Sequence, residues 1–493
     1  MKRAGFLIGI LLLAVTNADA FPPGHRTQIP KDQQAIVQQY SLLEPITKED
    51  RILILAPHPD DEVIGCSGVI QKAVAAGASV RIAYLTNGDA NQLAFIVYEK
   101  RLTFLPGEFV HMGEVRRKEA TAAAQILGLN ADNLTFFGYP DFGTFTMFQY
   151  YWGSKKPYRS LLSRQTKVPY KDNYSFDKSY IPENVLADIT SVLLDFQPTR
   201  VFVTHPADSN ADHRAYCLYF QIALAQVENQ IPKPKVYNYL VHCVGWPLPR
   251  HYHPDYPLIP PHQLLDSEIV WQRLPLTAAE IEKKHKAVLC NRSQTSSSAF
   301  YLLSFVRSNE LFGSYPDVVL TPPRAPAVPA IKPQSFWDRT LAFFGISGLI
   351  TEPKMGMTVG SFKKLAEVKG NVSYAVADSC LLIRIHKDEE LNRRMNAMIY
   401  LYGFSDRVDF AQMPKITVIA RHNKCRVLNK RSRIQADGVG VELKPNEMLV
   451  KVPLPLLGNP TIIVSSVKTF SGINSVDMSA FRTIIIEEAD SHG

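Results

Sequence analysis

This 493-residue chain lacks several features that would place it in a class at once. Its six cysteines stand far apart with no Cys-x-x-Cys pair, so an exported chain could form disulfides but no pairing is predicted. It carries no nucleic-acid-binding motif and no dense basic run, although its formal net charge is +8. That charge is spread along the chain and favours encounters with acidic glycans or anionic membrane surfaces. We therefore expect no nucleic-acid partner.

The beginning of the chain has the composition of a secretory signal peptide over residues 1–20. Lys2 and Arg3 precede an uncharged, mostly apolar stretch from Ala4 to Val15, and Ala18-Asp19-Ala20 supplies small residues for cleavage. The stretch is shorter than the roughly twenty residues of a spanning helix, which disfavours a membrane anchor. No cysteine stands directly after the cleavage site, which argues against a bacterial lipoprotein, and no later segment is long and apolar enough to cross a bilayer. We expect an exported protein, periplasmic or extracellular, with no transmembrane span after signal removal.

A polar cluster directly follows an apolar, strand-like run. The run Ile52–Ala56 reads as a central strand, and Glu62–Ala75 has the periodicity of a helix that packs on a sheet. Between them, His58 and Asp61 can turn toward one metal ion and leave Asp60 facing a water. In open parallel sheets, ligands bind at such strand-to-helix loops, which lie at the carboxyl ends of the strands. The alternative is a turn with a helix cap, since Asp and Pro are common there.

A second polar cluster follows a second apolar run. Arg200–Thr204 is short and β-branched, and it opens into the polar segment His205–Ala215. A zinc hydrolase site needs three protein ligands and an open position, and His213 would complete a His/Asp/His set with the first cluster. Asp212, next to this ligand, could orient an imidazole. Taken alone, His213 fits a surface histidine at a helix start.

Further short motifs follow these clusters in a fixed order along roughly residues 50 to 315. The complete series is Ala56-Pro57-His58-Pro59-Asp60-Asp61-Glu62, Thr86-Asn87-Gly88-Asp89, Arg116-Arg117-Lys118-Glu119, Gly138-Tyr139-Pro140-Asp141, Asp212-His213-Arg214-Ala215, Lys286-Ala287 and Ser293-Gln294. It resembles the PIG-L or LmbE-like family of zinc-dependent N-acetylglucosaminyl deacetylases, with one extra residue before the first histidine.

The resemblance implies a role for each matched residue. Three would hold zinc: His58, Asp61 and His213. A His/Asp/His site also accepts iron, cobalt or nickel. Asp60 would be the general base toward a metal-activated water, and Arg116 and Asp141 would contact sugar hydroxyls. Arg116 fits equally well a charged residue on the surface of a helix, and Asp141 fits equally well a residue that forms a turn. The implied reaction is hydrolysis of an N-acetyl group on an amino sugar or glycan.

One departure from the family concerns the proton donor. Asn210 stands where the family usually has a histidine, and an asparagine can hydrogen-bond an oxyanion but cannot deliver a proton. Asp60 could return its proton, or His205 or His242 could act as the acid; His242 also fits a structural histidine at a strand end. The departure supports a second hypothesis, a catalytically silent glycan-binding protein. We favour the enzyme, because a protein that only binds glycan does not need both a set of metal ligands and a general base.

The chain is expected to fold as two parts. Residues 45–320 alternate strand-like and helical segments, which predicts a doubly wound, mostly parallel α/β sheet carrying the deacetylase site. Its aromatic-rich insertion 142–182 either flanks the substrate or forms its own small core. Residues 321–354 predict a Pro-rich linker with a short helix. Residues 355–493 predict a smaller, all-β sandwich, either glycan-binding or purely structural.

Overall fold

The chain divides between Ser314 and Tyr315 into two compact units, an α/β unit and a β unit. The computed structural model describes residues 33–91, 96–98, 105–265, 267–321, 372–386, 395–421, 423–471 and 474–487. The predicted signal peptide and nearly all of the predicted linker lie outside these ranges. Within them, no helix is long and apolar enough to cross a membrane.

An eight-stranded sheet forms the centre of the α/β unit. Its strands are β1 (Ser41–Leu42), β2 (Arg51–Ala56), β3 (Ser79–Thr86), β4 (Leu134–Tyr139), β5 (Arg200–Thr204), β6 (Lys235–Tyr239), β7 (Val270–Pro275) and β8 (Asn309–Ser314). Their spatial order is β1-β7-β8-β6-β5-β2-β3-β4. The strands from β6 to β4 are parallel, whereas β8 is antiparallel to both neighbours. The central strands β2 and β5 are buried on both faces, as expected for apolar runs between two helical layers.

The helices of this unit are α1 (Gln33–Gln38), α2 (Asp61–Ala76), α3 (Pro106–Leu127), α4 (Thr144–Tyr150), α5 (Pro182–Phe196), α6 (Ala211–Val227), α7 (Ala278–Cys290) and α8 (Arg292–Leu302). Helices α2, α3 and α7 contact one another, and α4, α5 and α6 form a second group of mutual contacts. This is the arrangement of a sheet covered on both faces. The predicted doubly wound, mostly parallel fold is confirmed. Helix α2 also begins and ends within one residue of the predicted Glu62–Ala75.

The aromatic insertion forms a small core of its own against α6. Phe148 packs edge-to-face on Trp152 and on Tyr219 of α6, with ring centroids 5.7 and 5.0 Å apart. Tyr170 and Tyr180 are also buried. These contacts support the second alternative, in which most aromatic side chains of the insertion form a small core and do not flank the substrate.

The β unit consists of two packed sheets. Its strands are β9 (Val318–Leu320), β10 (Val372–Ala377), β11 (Cys380–His386), β12 (Met395–Phe404), β13 (Lys415–Arg421), β14 (Lys424–Asn429), β15 (Ser432–Ile434), β16 (Gly440–Leu443), β17 (Glu447–Pro453), β18 (Ile462–Ser471), β19 (Asn474–Met478) and β20 (Arg482–Ile486). One sheet has the order β10-β11-β17-β16, and the other β15-β14-β13-β12-β18-β20-β9 with β19 beside β18. Ile383 and Val450 of the first sheet share one apolar core with Ile399 and Val418 of the second. The predicted all-β sandwich is thereby confirmed.

All six cysteines fall within the described ranges, and each is a free thiol. Cys66 is buried in α2, where burial raises its pKa well above the ordinary value. It therefore behaves as a small hydrophobic side chain.

Candidate metal centre

Two adjacent parallel strands bring the two polar clusters together. β2 pairs with β5 in a register that sets Leu55 opposite Val203, so both chains leave the sheet at the same edge. The loop after β2 leads into α2, and the loop after β5 leads into α6. Their polar side chains converge at the carboxyl edge of the sheet, where ligands bind in open α/β folds.

The predicted ligands form a nearly equilateral triangle of donor atoms. His58 Nδ1 lies 3.3 Å from Asp61 Oδ2 and 3.3 Å from His213 Nε2, which in turn lies 3.2 Å from Asp61 Oδ2. A tetrahedral zinc ion with bonds of about 2.0 to 2.1 Å separates neighbouring ligand atoms by roughly 3.3 to 3.4 Å. The three residues are 7%, 2% and 0% exposed. The residues present therefore fit a divalent ion of zinc's size.

A carboxylate that the sequence analysis missed orients His213. Asp208 Oδ2 lies 3.1 Å from His213 Nδ1 and also accepts the backbone N–H groups of Val241 and His242. Burial alone would raise the pKa of Asp208, but the neighbouring His213 lowers it below its ordinary value. An ionised Asp208 fixes the tautomer that leaves His213 Nε2 free for a metal. Its position in the polar run after β5 was the only sequence signal for this role.

Asp208→Asn is expected to weaken metal affinity roughly 10- to 100-fold, because the imidazole loses the acceptor that holds its tautomer and makes it a stronger ligand. Competition with a chelator of known affinity measures the change. Ser209→Ala, one residue along the same loop, is the matched control and should bind metal as the unaltered protein does. Equal affinity in both variants would contradict the role given to Asp208.

Asp212 faces a different imidazole from the one beside it in sequence. Its Oδ2 lies 3.6 Å from His58 Nε2. It also accepts the backbone N–H groups of Phe142 and Thr144, at 2.6 and 3.1 Å, and so ties the insertion to the site. Asp141 approaches the same His58 nitrogen at 3.2 Å. Two carboxylates thus orient His58, as one orients His213.

The loop places Asp60 beside the triangle in a strained backbone conformation. Its φ is 131°, which residues other than glycine rarely adopt and which often marks a functional site. Asp60 Oδ2 lies 3.2 Å from Arg116 Nη2. Burial raises the pKa of Asp60 to about 7, with Arg116 opposing this rise and Asp61 adding to it. A carboxyl group that titrates near neutrality is suited to acid–base catalysis.

Arg116 reaches the site from α3 and donates to the loops that carry it. Its guanidinium bonds the carbonyl oxygens of Gly88 and Pro59 at 2.9 and 2.7 Å, in addition to its contact with Asp60. Arg116 and Asp141 are only 4% and 5% exposed. Their contact with sugar hydroxyls remains a prediction, and the geometry here shows both of them positioning other site residues.

Asn210 serves as the helix cap of α6. Its side-chain oxygen accepts the backbone N–H of Asp212 at 2.8 Å. This contact engages the carbonyl of the side chain and leaves its amide N–H groups as the donors that could meet an oxyanion.

Two further histidines lie close by and are uncharged at neutral pH. The His242 ring lies 4.7 Å from that of His213, and its Nδ1 is 3.3 Å from the Tyr301 hydroxyl, a residue that the motifs did not single out. Burial lowers the pKa of His242 to about 4 and that of His205 to about 3. His205 stacks on Trp271 with centroids 5.9 Å apart. Neither imidazole holds a transferable proton as an imidazolium at pH 7.

Comparison with known proteins agrees with this geometry. Residues 53–222 match the family model described as PIG-L: GlcNAc-PI de-N-acetylase. Deacetylases for 1D-myo-inositol 2-acetamido-2-deoxy-alpha-D-glucopyranoside, from Mycobacterium sp. strains KMS and JLS, are each 26% identical over 186 residues. These matches cover 37% of this chain and 53% of each relative, so the chain spans about half the length of the curated relatives it matches.

Two solved structures resemble the chain at lower identity. The conserved protein TT1542 from Thermus thermophilus is 22% identical with a TM-score of 0.30, covering 50% of this chain and 80% of that one. The N,N'-diacetylchitobiose deacetylase from Pyrococcus horikoshii is 20% identical with a TM-score of 0.31, covering 54% and 81%. The family match covers both halves of the metal triangle, as well as Asp60, Arg116 and Asp141. Residues 53–222 of the α/β unit therefore match the PIG-L family model, as the order of the motifs predicted.

Proposed function

We propose that the protein is a metal-dependent hydrolase that removes N-acetyl groups from N-acetylglucosamine-type sugars or glycans. The observation that carries this proposal is the triangle of His58, Asp61 and His213 with a partly buried carboxyl, Asp60, beside it. The family description supports the reaction type because it names a de-N-acetylase. Both mycobacterial relatives are named as deacetylases of an acetamido sugar.

Zinc is the ion we propose, on ligand type, with iron, cobalt and nickel as ions that such a site also accepts. Bound there, it would supply a Lewis acid that lowers the pKa of a water toward neutrality and stabilises the oxyanion. The chain's own contribution is orientation. Asp208, Asp141 and Asp212 fix the two imidazoles, so the ligand atoms are in place before an ion arrives.

Proton transfer is assigned to Asp60. It takes a proton from the attacking water as the new carbon–oxygen bond forms, and Arg116 holds the carboxylate in position. When the carbon–nitrogen bond breaks, Asp60 returns that proton to the leaving nitrogen, so one residue serves as base and then as acid. Acetate and the free amino sugar are the products. This assignment does not need the histidine that Asn210 replaces.

His242→Asn is expected to reduce kcat by less than about tenfold with metal content unchanged, because a neutral imidazole can donate a hydrogen bond but holds no spare proton at pH 7. Steady-state acetate release measures the effect. Tyr301→Phe is the matched variant, since it removes the hydroxyl that contacts His242 Nδ1. A loss of a hundredfold or more in His242→Asn alone, with metal bound, would make His242 the proton donor in place of Asp60.

The function is tested by screening acetylated amino sugars and glycans for acetate release by the purified, full-length protein. Release is expected to stop on chelation and to return when zinc is added back. The competing hypothesis, a catalytically silent glycan-binding protein, is motivated by Asn210. It would show glycan binding without acetate release from any member of the panel while the metal is bound.

Export is part of the proposal and rests on the residues before Phe21 alone. Protein recovered from the periplasm or the medium is expected to begin at Phe21, after cleavage at Ala18-Asp19-Ala20. N-terminal sequencing decides this, and an intact N-terminus on the recovered protein would contradict it. For the β unit, we propose glycan binding over a purely structural role.

A further inference from the structure

A strongly basic stretch stands out in the β unit. Residues 410–436 contain seven lysine and arginine residues and no acidic residue. These cations do not form a dense basic run in the sequence, because apolar and polar residues separate them along the chain. Strand pairing removes that separation, so part of the charge that is spread along the chain is collected on one surface.

The paired strands collect four of these cations on one face of the larger sheet. In β13 and β14, Arg421 lies opposite Lys424, and Ile419 lies opposite Arg426. Arg433 of β15 lies opposite Leu428 of β14. Cross-strand partners share a face, and alternate residues along a strand do so too. Val418, Ala420 and Val427 point into the core, so the four cations lie on the outer side.

We call this surface the cationic face, defined by Arg421, Lys424, Arg426 and Arg433. All four side chains are exposed. Neighbouring strands are about 4.8 Å apart, and same-face residues along a strand are about 7 Å apart, so the charges form a compact, flat array.

The array is unfavourable for the fold unless something binds it. Like charges directly opposite one another on paired strands are destabilising, and Arg421 and Lys424 are such a pair. Among the residues that the structure describes, no carboxylate lies within 4.0 Å of the cationic groups of Lys424, Arg426 or Arg433. Arg421 Nε donates to Asn396 Oδ1 at 3.0 Å, a neutral partner. No ion pair with a described residue therefore compensates the positive charge of the face.

Protection of a sheet edge explains only part of this pattern. Charged side chains on an edge strand prevent pairing with other chains, and β15 is an edge of its sheet. Arg433 has that explanation. Lys424 and Arg426 share it, because β15 pairs only with residues 427–429 of β14. Arg421 does not, because β13 pairs there with both β12 and β14. Edge protection also does not require that the charges of one face all have the same sign.

We propose that the cationic face binds an acidic polysaccharide, a polymer with carboxylate or sulfate groups along an extended chain. Three of the four cations are arginines, whose planar guanidinium groups bind such oxyanions with paired hydrogen bonds. This inference refines the proposal that the β unit binds glycan and rests on it for the choice of ligand. It does not depend on the deacetylase activity.

A polymer is favoured over a membrane surface because the face lacks apolar anchors. Among the described residues of the β unit, the large hydrophobic side chains with substantial exposure are Val319 and Val408, and neither lies on β13, β14 or β15. Stable membrane attachment normally adds inserted aromatic or aliphatic groups to electrostatic attraction.

The test uses full-length protein on immobilised polygalacturonate and heparin, with dextran as the neutral polymer. The protein is expected to bind both acidic polymers, to ignore dextran and to be released by salt. The variant R421Q/K424Q/R426Q/R433Q should bind roughly 10- to 1,000-fold more weakly at 0.1 M salt. The control K155Q/K156Q/K171Q/K233Q removes four exposed lysines of the α/β unit and should bind as the unaltered protein does.

Phosphatidylglycerol vesicles serve as the membrane probe. The following outcomes would overturn the proposal. It fails if the unaltered protein binds neither acidic polymer, whether or not it binds the vesicles, or if both quadruple variants lose affinity equally. Circular dichroism and thermal unfolding establish that the variant is folded, and removing the Arg421–Lys424 repulsion should not lower its Tm. R421K/R426K/R433K keeps the charge and should retain binding. Acetate release from a small soluble substrate should be unchanged in the cationic-face variant, so failure of the deacetylase proposal shows separately.

Discussion

Asp60→Asn is expected to reduce kcat for acetate release by roughly 10²- to 10⁴-fold while the metal stays bound. The carboxylate is the only group beside the triangle to which the proposal assigns a proton. An amide in its place cannot accept a proton from water at any working pH. Asp60 is not needed to hold the ion, because three other residues supply the ligand atoms. The variant should therefore lose activity while it keeps its metal.

Asparagine is the informative replacement because it disturbs the loop least. It has the size and shape of aspartate, so the backbone at position 60, with its φ of 131°, carries a side chain of unchanged volume. Asp195→Asn, on the exposed end of α5, is the matched control and should keep full activity. Loss of metal from Asp60→Asn would make Asp60 a ligand. Retention of more than a tenth of kcat would remove it as the base.

The pH profile of the unaltered enzyme gives an independent readout of the same residue. Asp60 must be ionised to accept a proton, so activity falls as the pH drops through its pKa. Burial and neighbouring charges set that pKa at about 7 without an ion, and a bound cation lowers it by favouring the carboxylate. The acid limb is therefore expected at or below about pH 7. It should be absent from the residual activity of Asp60→Asn.

Asp61→Asn is expected to weaken zinc affinity more than 100-fold and to lower activity by about 10³-fold or more. Its Oδ2 is the shared corner of the triangle, 3.3 and 3.2 Å from the two imidazoles, and it also accepts the backbone N–H of His58. A neutral amide oxygen is a weaker ligand than a carboxylate. Metal content after dialysis and acetate release at saturating zinc measure the two effects. Zinc affinity equal to that of the unaltered protein would refute the proposed ligand set.

Zinc affinity should also depend on pH with a definite sign. Burial alone would lower the pKa of His213, but Asp208 and Asp61 raise it to about 9, so the metal-free site holds a proton there at pH 7. Zinc must displace that proton. The affinity is therefore expected to rise with pH up to about 9, by as much as tenfold per unit for each proton displaced. A pH-independent affinity between pH 6 and 8 would show that zinc displaces no proton from His213 in this range.

The sequence alone was enough to predict the fold class and to select the three side chains of the triangle. Apolar runs followed at once by polar clusters require strands that end at one edge of a parallel sheet. His58 and Asp61 are only three residues apart, so the loop geometry is local. Pairing of β2 with β5 supplies the one long-range step, and the similarity of their apolar runs already indicated it.

Only the tertiary structure decided which groups act on those side chains. Asp212 is adjacent to His213 in sequence, yet it turns toward His58 and the insertion, while Asp208 reaches His213. Arg116 meets Asp60 from a separate helix. The cationic face likewise exists only after β13, β14 and β15 pair. Local spacing determines where a residue enters its strand or helix, but a side chain's partner depends on which elements pack against it, and that is set by the whole fold.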